Sequence, residues 1–265
     1  MHPMLNIAVR AARAAGNVIT RGYENRDDLD IQQKGAQDFV TKIDKEAELT
    51  IIHKIQQSYP DHSFVGEEGG AIKGNDDFTW VIDPLDGTSN FIAGIPHFAV
   101  SIALLYKGKT EQAVVYDPIR GELFASTKGS GAQLNGYRLR CTKAKDLTNT
   151  IIATALPFRD KSNFDTELSR FNKVIKDAGD FRRSGSAALD LAYVAAGRYD
   201  GYFEKGLKAW DMAAGDLLVK ESGGLVTDYA GNNDPFYVEL KTPGQGNGLV
   251  AGNPRVVQNI VKRLK

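Results

Sequence analysis

Residues 80–91 read WVIDPLDGTSNF: an apolar stretch runs straight into Asp83 and Asp86, with Pro84 and Leu85 between them and Gly87-Thr88 behind. The run FTWVID, residues 78–83, reads as a buried strand. Ending a buried strand in two carboxylates costs free energy unless something neutralises them. Pro84 removes a backbone donor and restricts Asp83, which helps present the Asp83 side chain and the Leu85 carbonyl in a fixed direction. Gly87 permits close approach of a ligand, and Thr88 with the N–H groups behind it can open an anion-binding helix. The stretch so sets cation ligands beside a phosphate cradle. By composition alone, D-P-x-D-G-T is equally a plain turn.

Upstream, apolar residues recur at helical spacing from Leu5 to Tyr23. QKGAQDFVTKID predicts a turn and short strand, after which Thr41 or Asp44 caps a second helix that stops at Pro60. HSFVGEEGG reads as a strand ending in a loop, and residues 69–77 as a surface connection. Downstream, residues 97–136 alternate apolar and polar between turn signals, the pattern of an antiparallel meander. Texture changes near residues 141–150. Beyond it TIIATAL is a strand, 160–178 a helix, SGSAALDLAYVAAG a helix with Ser184 as N-cap, and YDGYFE a strand. WDMAAGDLLVKESGG is a further helix closed by Gly223, followed by strands LVTDY and GLVAG and a last helix opened by Asn253-Pro254. Neither regular βαβ alternation nor an all-β pattern results, so a layered α+β fold fits best. With no repeat and no low-complexity linker, residues 1–265 read as a single domain whose halves, 1–145 and 146–265, share one continuous structure.

Lys plus Arg and Asp plus Glu number 33 each, so no net field draws nucleic acid or an anionic membrane surface. No apolar run approaches the roughly 20 residues that span a bilayer. The N-terminus lacks the pattern of a signal peptide, and one cysteine permits neither an intramolecular disulfide nor a thiolate zinc cluster; the cytoplasm is the expected compartment. The four histidines form no H-x-x-x-H or H-E-x-x-H pair. Cys141 reads as structural rather than nucleophilic. What remains for chemistry is carboxylate at element ends: Glu67-Glu68, Asp83, Asp86 and Asp211, each near glycine or flanked by Trp80, Phe91 and Trp210. Taken singly, Glu67-Glu68 is a solvated loop and Asp211 a helix-capping residue. Taken together, hard oxygen donors suit Mg²⁺, which keeps room for water and a substrate phosphate.

GEEGG, WVIDPLDGTSNF and WDMAAGDLLVKESGG, in this order, resemble the three signature regions of the inositol monophosphatase family, Mg²⁺-dependent, lithium-sensitive sugar-phosphate phosphatases, and the resemblance extends to GLVAGNPRVV. It implies the α-β-α-β-α sandwich of those enzymes, usually as a homodimer, acting on a small-molecule phosphate ester. It further implies that Glu67, Asp83 and the Leu85 carbonyl bind one Mg²⁺ and Asp83, Asp86 and Asp211 a second. Thr88 would help Glu67 orient or deprotonate the attacking water. Gly87 and Thr88 N–H groups would hold phosphate oxygens, and Asp86, Ala187 through its backbone and Glu204 would read substrate hydroxyls. Lys34 and Asp44 align near a weaker third metal, with Asp44 counted among the catalytic groups, and Arg182 aligns near the substrate. Read from the residues alone, the pair Arg182-Arg183 could contact substrate phosphate, and for Arg183 surface or interface ion pairing is an equal reading. Two departures are visible: Gly69 replaces the usual serine and Ser89 the second threonine. The resemblance is closest to the enterobacterial branch, in which a member also acts in ribosomal-RNA transcription antitermination, so a transcription-machinery partner is the alternative role. Fructose-1,6-bisphosphatase and bisphosphate-nucleotide phosphatase are the alternative activities.

Overall fold

The computed structural model describes residues 2–25, 31–35, 38–156 and 162–265, with backbone alone for residues 31–35, 38–40 and 237. Helix α1 (Pro3–Glu24) buries Leu5, Ala8, Val9, Ala12, Ala15 and Ile19, a stripe at helical spacing. Strands β1 (Ile31–Gly35) and β2 (Asp38–Thr41) pair antiparallel and lead into α2 (Lys42–Gln56). Both expected caps of α2 are used: Thr41 is the N-cap, and the Asp44 carboxylate accepts the Thr41 N–H at 2.9 Å to close a capping box.

Next come β3 (His62–Gly66), β4 (Gly70–Ile72), β5 (Asn75–Asp86), the short helix α3 (Thr88–Ala93), β6 (Ala99–Tyr106), β7 (Lys109–Asp117), β8 (Glu122–Thr127), β9 (Ala132–Leu134) and β10 (Tyr137–Arg138). They build an eight-stranded sheet of order β10-β9-β8-β7-β6-β5-β3-β4. β5 to β10 pair antiparallel in succession, the expected meander, while β3 and β5 run parallel. The expected surface connection at 69–77 is instead an edge hairpin. All of β4 is exposed, so it carries no apolar alternation that would mark it in sequence.

A second, five-stranded sheet of order β12-β11-β13-β15-β14 follows. It comprises β11 (Ile151–Thr154), then after α4 (Phe164–Ile175) β12 (Asp180–Arg182), after α5 (Ala187–Ala195) β13 (Gly201–Glu204), after α6 (Ala209–Glu221) β14 (Leu225–Thr227), and after α7 (Pro235–Lys241) β15 (Leu249–Gly252). Helix α8 (Pro254–Leu264) is last, its Asn253 N-cap accepting from Arg255 and Val256. The N-cap of α5 is Ser186, not Ser184. Gly185 turns the chain through a φ of 94°, so the helix starts beyond it, and the Ser184 hydroxyl donates to Asp190 instead.

Strand alternation assigns the layers. On β5, Trp80 and Ile82 join the core beneath α1 and α2, while Val81 joins the core formed with α5 and α6. On the small sheet, Ala153 and Tyr202 meet that same α5–α6 layer, and Ile152 and Phe203 pack with Val256 and Ile260 of α8 and Val174 of α4. Three apolar cores, the middle one packed on both faces of the α5–α6 layer, thus join five layers, α-β-α-β-α. Trp80 is fully buried and its indole donates to His62 Nδ1 at 3.0 Å; the His62 ring stacks between Tyr59 and Phe78 at 4.8 and 4.6 Å. Among the described residues no helix is long and apolar enough to cross a membrane.

Candidate active site

The parallel register of β3 and β5 pairs Gly66 with Ile82, so Glu67 and Asp83 leave the sheet side by side. The Glu67 N–H is fixed by the Ile82 carbonyl at 3.2 Å. Between Asp83 and Asp86 the pairing with β6 slips: Asp83 faces Ser101 and Asp86 faces Ala99, so β5 carries an extra residue there. Pro84, with no N–H to give the ladder, lies in this bulge. The Leu85 N–H turns back to Asp83 Oδ1 at 3.0 Å. Gly87 then adopts a φ of 102°, and a Cβ there would stand 3.0 Å from the His97 carbonyl and 3.1 Å from Phe98 Cβ, so both conformation and space demand glycine.

Thr88 begins α3, with its hydroxyl 3.0 Å from Asp44 Oδ1 and 3.0 Å from the Leu85 carbonyl, two acceptors for one proton. Asp86 reaches the second sheet's layer: its Oδ2 accepts the Ser186 hydroxyl and the Ala188 N–H, each at 2.7 Å, and so caps the start of α5. Asp211 lies in the first turn of α6 and accepts the Lys208 N–H at 2.6 Å. That helix start is docked on β6 through the Ser101 hydroxyl, 3.3 Å from the Trp210 carbonyl. Glu204 ends β13, and the buried Tyr202 phenol donates to its Oε2 at 2.5 Å.

These element ends surround one cavity of about 410 Å³ lined by Glu67, Asp83, Leu85, Asp86, Gly87, Thr88, Ala187, Glu204 and Asp211. Asp44 stands behind Thr88, nearly inaccessible to solvent, where burial pushes its carboxyl up against the opposing hydrogen bonds from Thr41 and Thr88. Burial, and then the charges of Glu67, Asp86 and Asp211, push the Asp83 carboxyl well above the usual carboxylate range. Asp211 is pushed the same way by burial and by Asp86 and Glu67. Among the described residues no three acidic, histidine or cysteine side chains are drawn into a ready-made coordination shell. The wall nevertheless offers carboxylate and carbonyl oxygen and no imidazole or thiolate, around buried carboxylates that repel one another. That donor set fits a hard divalent cation and no softer metal.

Arg182 does not line the cavity: along β12 it shares a face with Asp180 and pairs with that carboxylate at 2.6 Å, while the next residue, Arg183, lines the wall. The side chain of Lys34 lies outside the described residues. Asp190 was not singled out from the sequence, yet it lines the cavity almost fully buried, pushed well up by burial, with the Ser184 hydroxyl 2.5 Å away. The available signal was its being the one charged residue in SGSAALDLAYVAAG.

The chain is 56% identical over 266 aligned residues to Nus factor SuhB of Escherichia coli strain K12, covering 100% of this chain and 97% of that protein. Its fold matches the crystal structure of extragenic suppressor protein suhB from Bartonella henselae with a TM-score of 0.94 at 41% identity, covering 100% and 99% of the two chains. The structure of inositol monophosphatase from Anabaena (Nostoc) sp. PCC 7120 matches with a TM-score of 0.81 at 33% identity over 98% and 94%. The family model for the inositol monophosphatase family matches residues 1–264, and the chain belongs to that family.

Proposed function

We propose that the chain hydrolyses monophosphates of inositol and related polyols to the free alcohol and inorganic phosphate, with Mg²⁺ as cofactor. The observation that supports this reading is the meeting of Glu67, Asp83, Asp86 and Asp211, from three separate segments, beside the Gly87-Thr88 turn in one cavity. Glu67, Asp83 and the Leu85 carbonyl would hold one Mg²⁺, and Asp83, Asp86 and Asp211 a second. Bound there, Mg²⁺ supplies Lewis-acid activation of water and offsets charge on the attacking and leaving oxygens of an in-line displacement. Glu67 and Thr88 hold the attacking water. The Thr88 hydroxyl, 3.0 Å from Asp44, gives that water's proton a route to a carboxyl whose raised affinity for protons suits it to accept one. Gly87 and Thr88 N–H groups hold phosphate oxygens, while Asp86, the Ala187 N–H and Glu204, braced by Tyr202, read hydroxyls. No covalent intermediate is needed. The enzyme acts in the cytoplasm as a homodimer, which sedimentation would register as twice the chain mass.

The direct test is phosphate release from a panel containing inositol monophosphate, fructose 1,6-bisphosphate and bisphosphate nucleotides. Inositol monophosphate is expected to be hydrolysed with Mg²⁺, not with chelator, and less in the presence of lithium. Absence of release from every polyol phosphate at saturating Mg²⁺ would end this reading. Mg²⁺ at about 100 times its Kd should also stabilise the fold by about 2.7 kcal/mol, a Tm rise of several degrees that chelation reverses. Thr88→Ala should lower kcat about 100-fold, whereas Thr88→Ser, which keeps the hydroxyl, should stay within about tenfold of wild type. Equal losses in both variants would remove the hydroxyl from the mechanism.

The Nus-factor name of the relatives at 56% identity supports a second role, contact with the transcription machinery. An in-vitro antitermination assay on a ribosomal-RNA leader template, with and without the protein, measures it. Unchanged read-through would leave the hydrolytic role alone.

A further inference from the structure

Helix α2 carries two carboxylates one turn apart, Asp44 and Glu48, each 2% exposed. Asp44 reaches Thr88. Glu48 reaches the turn that follows β3: its Oε2 accepts the Glu68 N–H at 3.0 Å and its Oε1 the Gly69 N–H at 2.5 Å. The carboxylate lies directly against Gly66 and Gly69, neither of which has a Cβ to hold it off. Glu67 lies inside this clamp. Its own N–H is held from the opposite side by the Ile82 carbonyl, so β5 and α2 grip the 66–69 segment between them.

We propose that Glu48 is a positioning residue: by binding the two amides behind Glu67, it aims the Glu67 carboxylate at Asp83 for Mg²⁺ binding and turnover. The inference rests on the metal assignment proposed above and extends it to a residue outside the cavity wall. A charged acceptor strengthens both N–H bonds, and only a carboxylate offers two acceptor oxygens in this geometry. Glutamine would satisfy one amide and turn an NH₂ donor toward the other. Through α2, the same two helical turns then set both groups assigned to the attacking water, Thr88 by way of Asp44 and Glu67 by way of Glu48.

Glu48→Gln in the full chain is the test, with Glu221→Gln as matched control. Glu221 is also a glutamate whose two carboxylate oxygens accept two backbone amides, those of Gly129 and Gly131 at 2.7 Å each, and it is not among the residues lining the cavity. The readouts are the calorimetric Kd for Mg²⁺ alone, amide hydrogen exchange at Glu68 and Gly69 in metal-free protein, and the separate kcat and KM for inositol monophosphate. For Glu48→Gln the Mg²⁺ Kd should rise about 10-fold or more, kcat should fall by a similar factor, ester KM should stay within about threefold, and both amides should exchange faster. Glu221→Gln should leave all four near wild type. Mg²⁺ affinity and kcat within about twofold of wild type in Glu48→Gln, or equal losses in both variants, would overturn the proposal. If Glu48→Gln does not fold, Glu48→Asp, one methylene shorter, is read by the same criteria. Wild-type protein that binds no Mg²⁺ would instead overturn the metal assignment, and this inference with it.

Discussion

Asp83→Asn should lower turnover on the order of 10³-fold while leaving the protein folded, and in Mg²⁺-free buffer it should melt no lower than wild type. Asp83 is the residue assigned to both cations, so its loss weakens both sites at once. Asparagine keeps the size of the side chain and can still accept the Leu85 N–H through its carbonyl oxygen. What it discards is a buried negative charge facing Glu67, Asp86 and Asp211. The sign follows from the carboxyl being raised. A group whose folded affinity for protons exceeds its unfolded one takes stability away as pH rises from the unfolded value toward the folded one, and a non-titrating amide removes that loss. Initial rates at saturating Mg²⁺ and a thermal melt with chelator read the two effects separately. Near-normal rates would sink the metal assignment, and a large fall in Tm would show that the carboxylate serves the fold.

Trp80→Ala acts on the same strand in the opposite sense, through stability rather than chemistry. Trp80 is fully buried beneath α1 and α2, and its indole N–H is bonded to His62. Truncation leaves a cavity and strips His62 Nδ1 of its donor, at a cost of about 3–5 kcal/mol. At roughly 2–4 °C per kcal/mol, Tm should fall by about 6–20 °C. Trp80→Phe retains most of the ring and isolates the hydrogen bond, worth about 1 kcal/mol. Chemical denaturation of the three proteins measures the series; a loss under about 1 kcal/mol for Trp80→Ala would contradict its central place in the packing.

The strand 78–83 was readable because both its faces are buried, so Trp80, Val81 and Ile82 form an unbroken apolar run. Asp83, Asp86, Gly87 and Thr88 were readable for a different reason: their constraints are local, a proline-bearing bulge and a glycine at positive φ. The meander strands and the capped ends of α2 and α8 likewise advertise themselves within a few residues. β4 was missed because an exposed edge needs no pattern. Ser184 reads as the cap in sequence because only the turn at Gly185 separates it from Ser186, and which of Arg182 and Arg183 faces the cavity is not legible because Asp180, the partner of Arg182, belongs to a strand too short to show its period. Asp190 and Glu48 were out of reach for a deeper reason. A carboxylate on a helix says nothing in sequence about which distant amide or hydroxyl it will meet after folding.

The Asp86 carboxylate is anchored to the start of α5, so the large sheet and the layer beside the small one share a fastening at the rim of the cavity. Glu67, Asp83, Leu85, Asp86 and Thr88 come from the first half of the chain, whereas Arg183, Ala187, Glu204 and Asp211 come from the second. With Asp86 on one side of that fastening and Asp211 on the other, the cavity comes into being only once both stretches of polypeptide have docked.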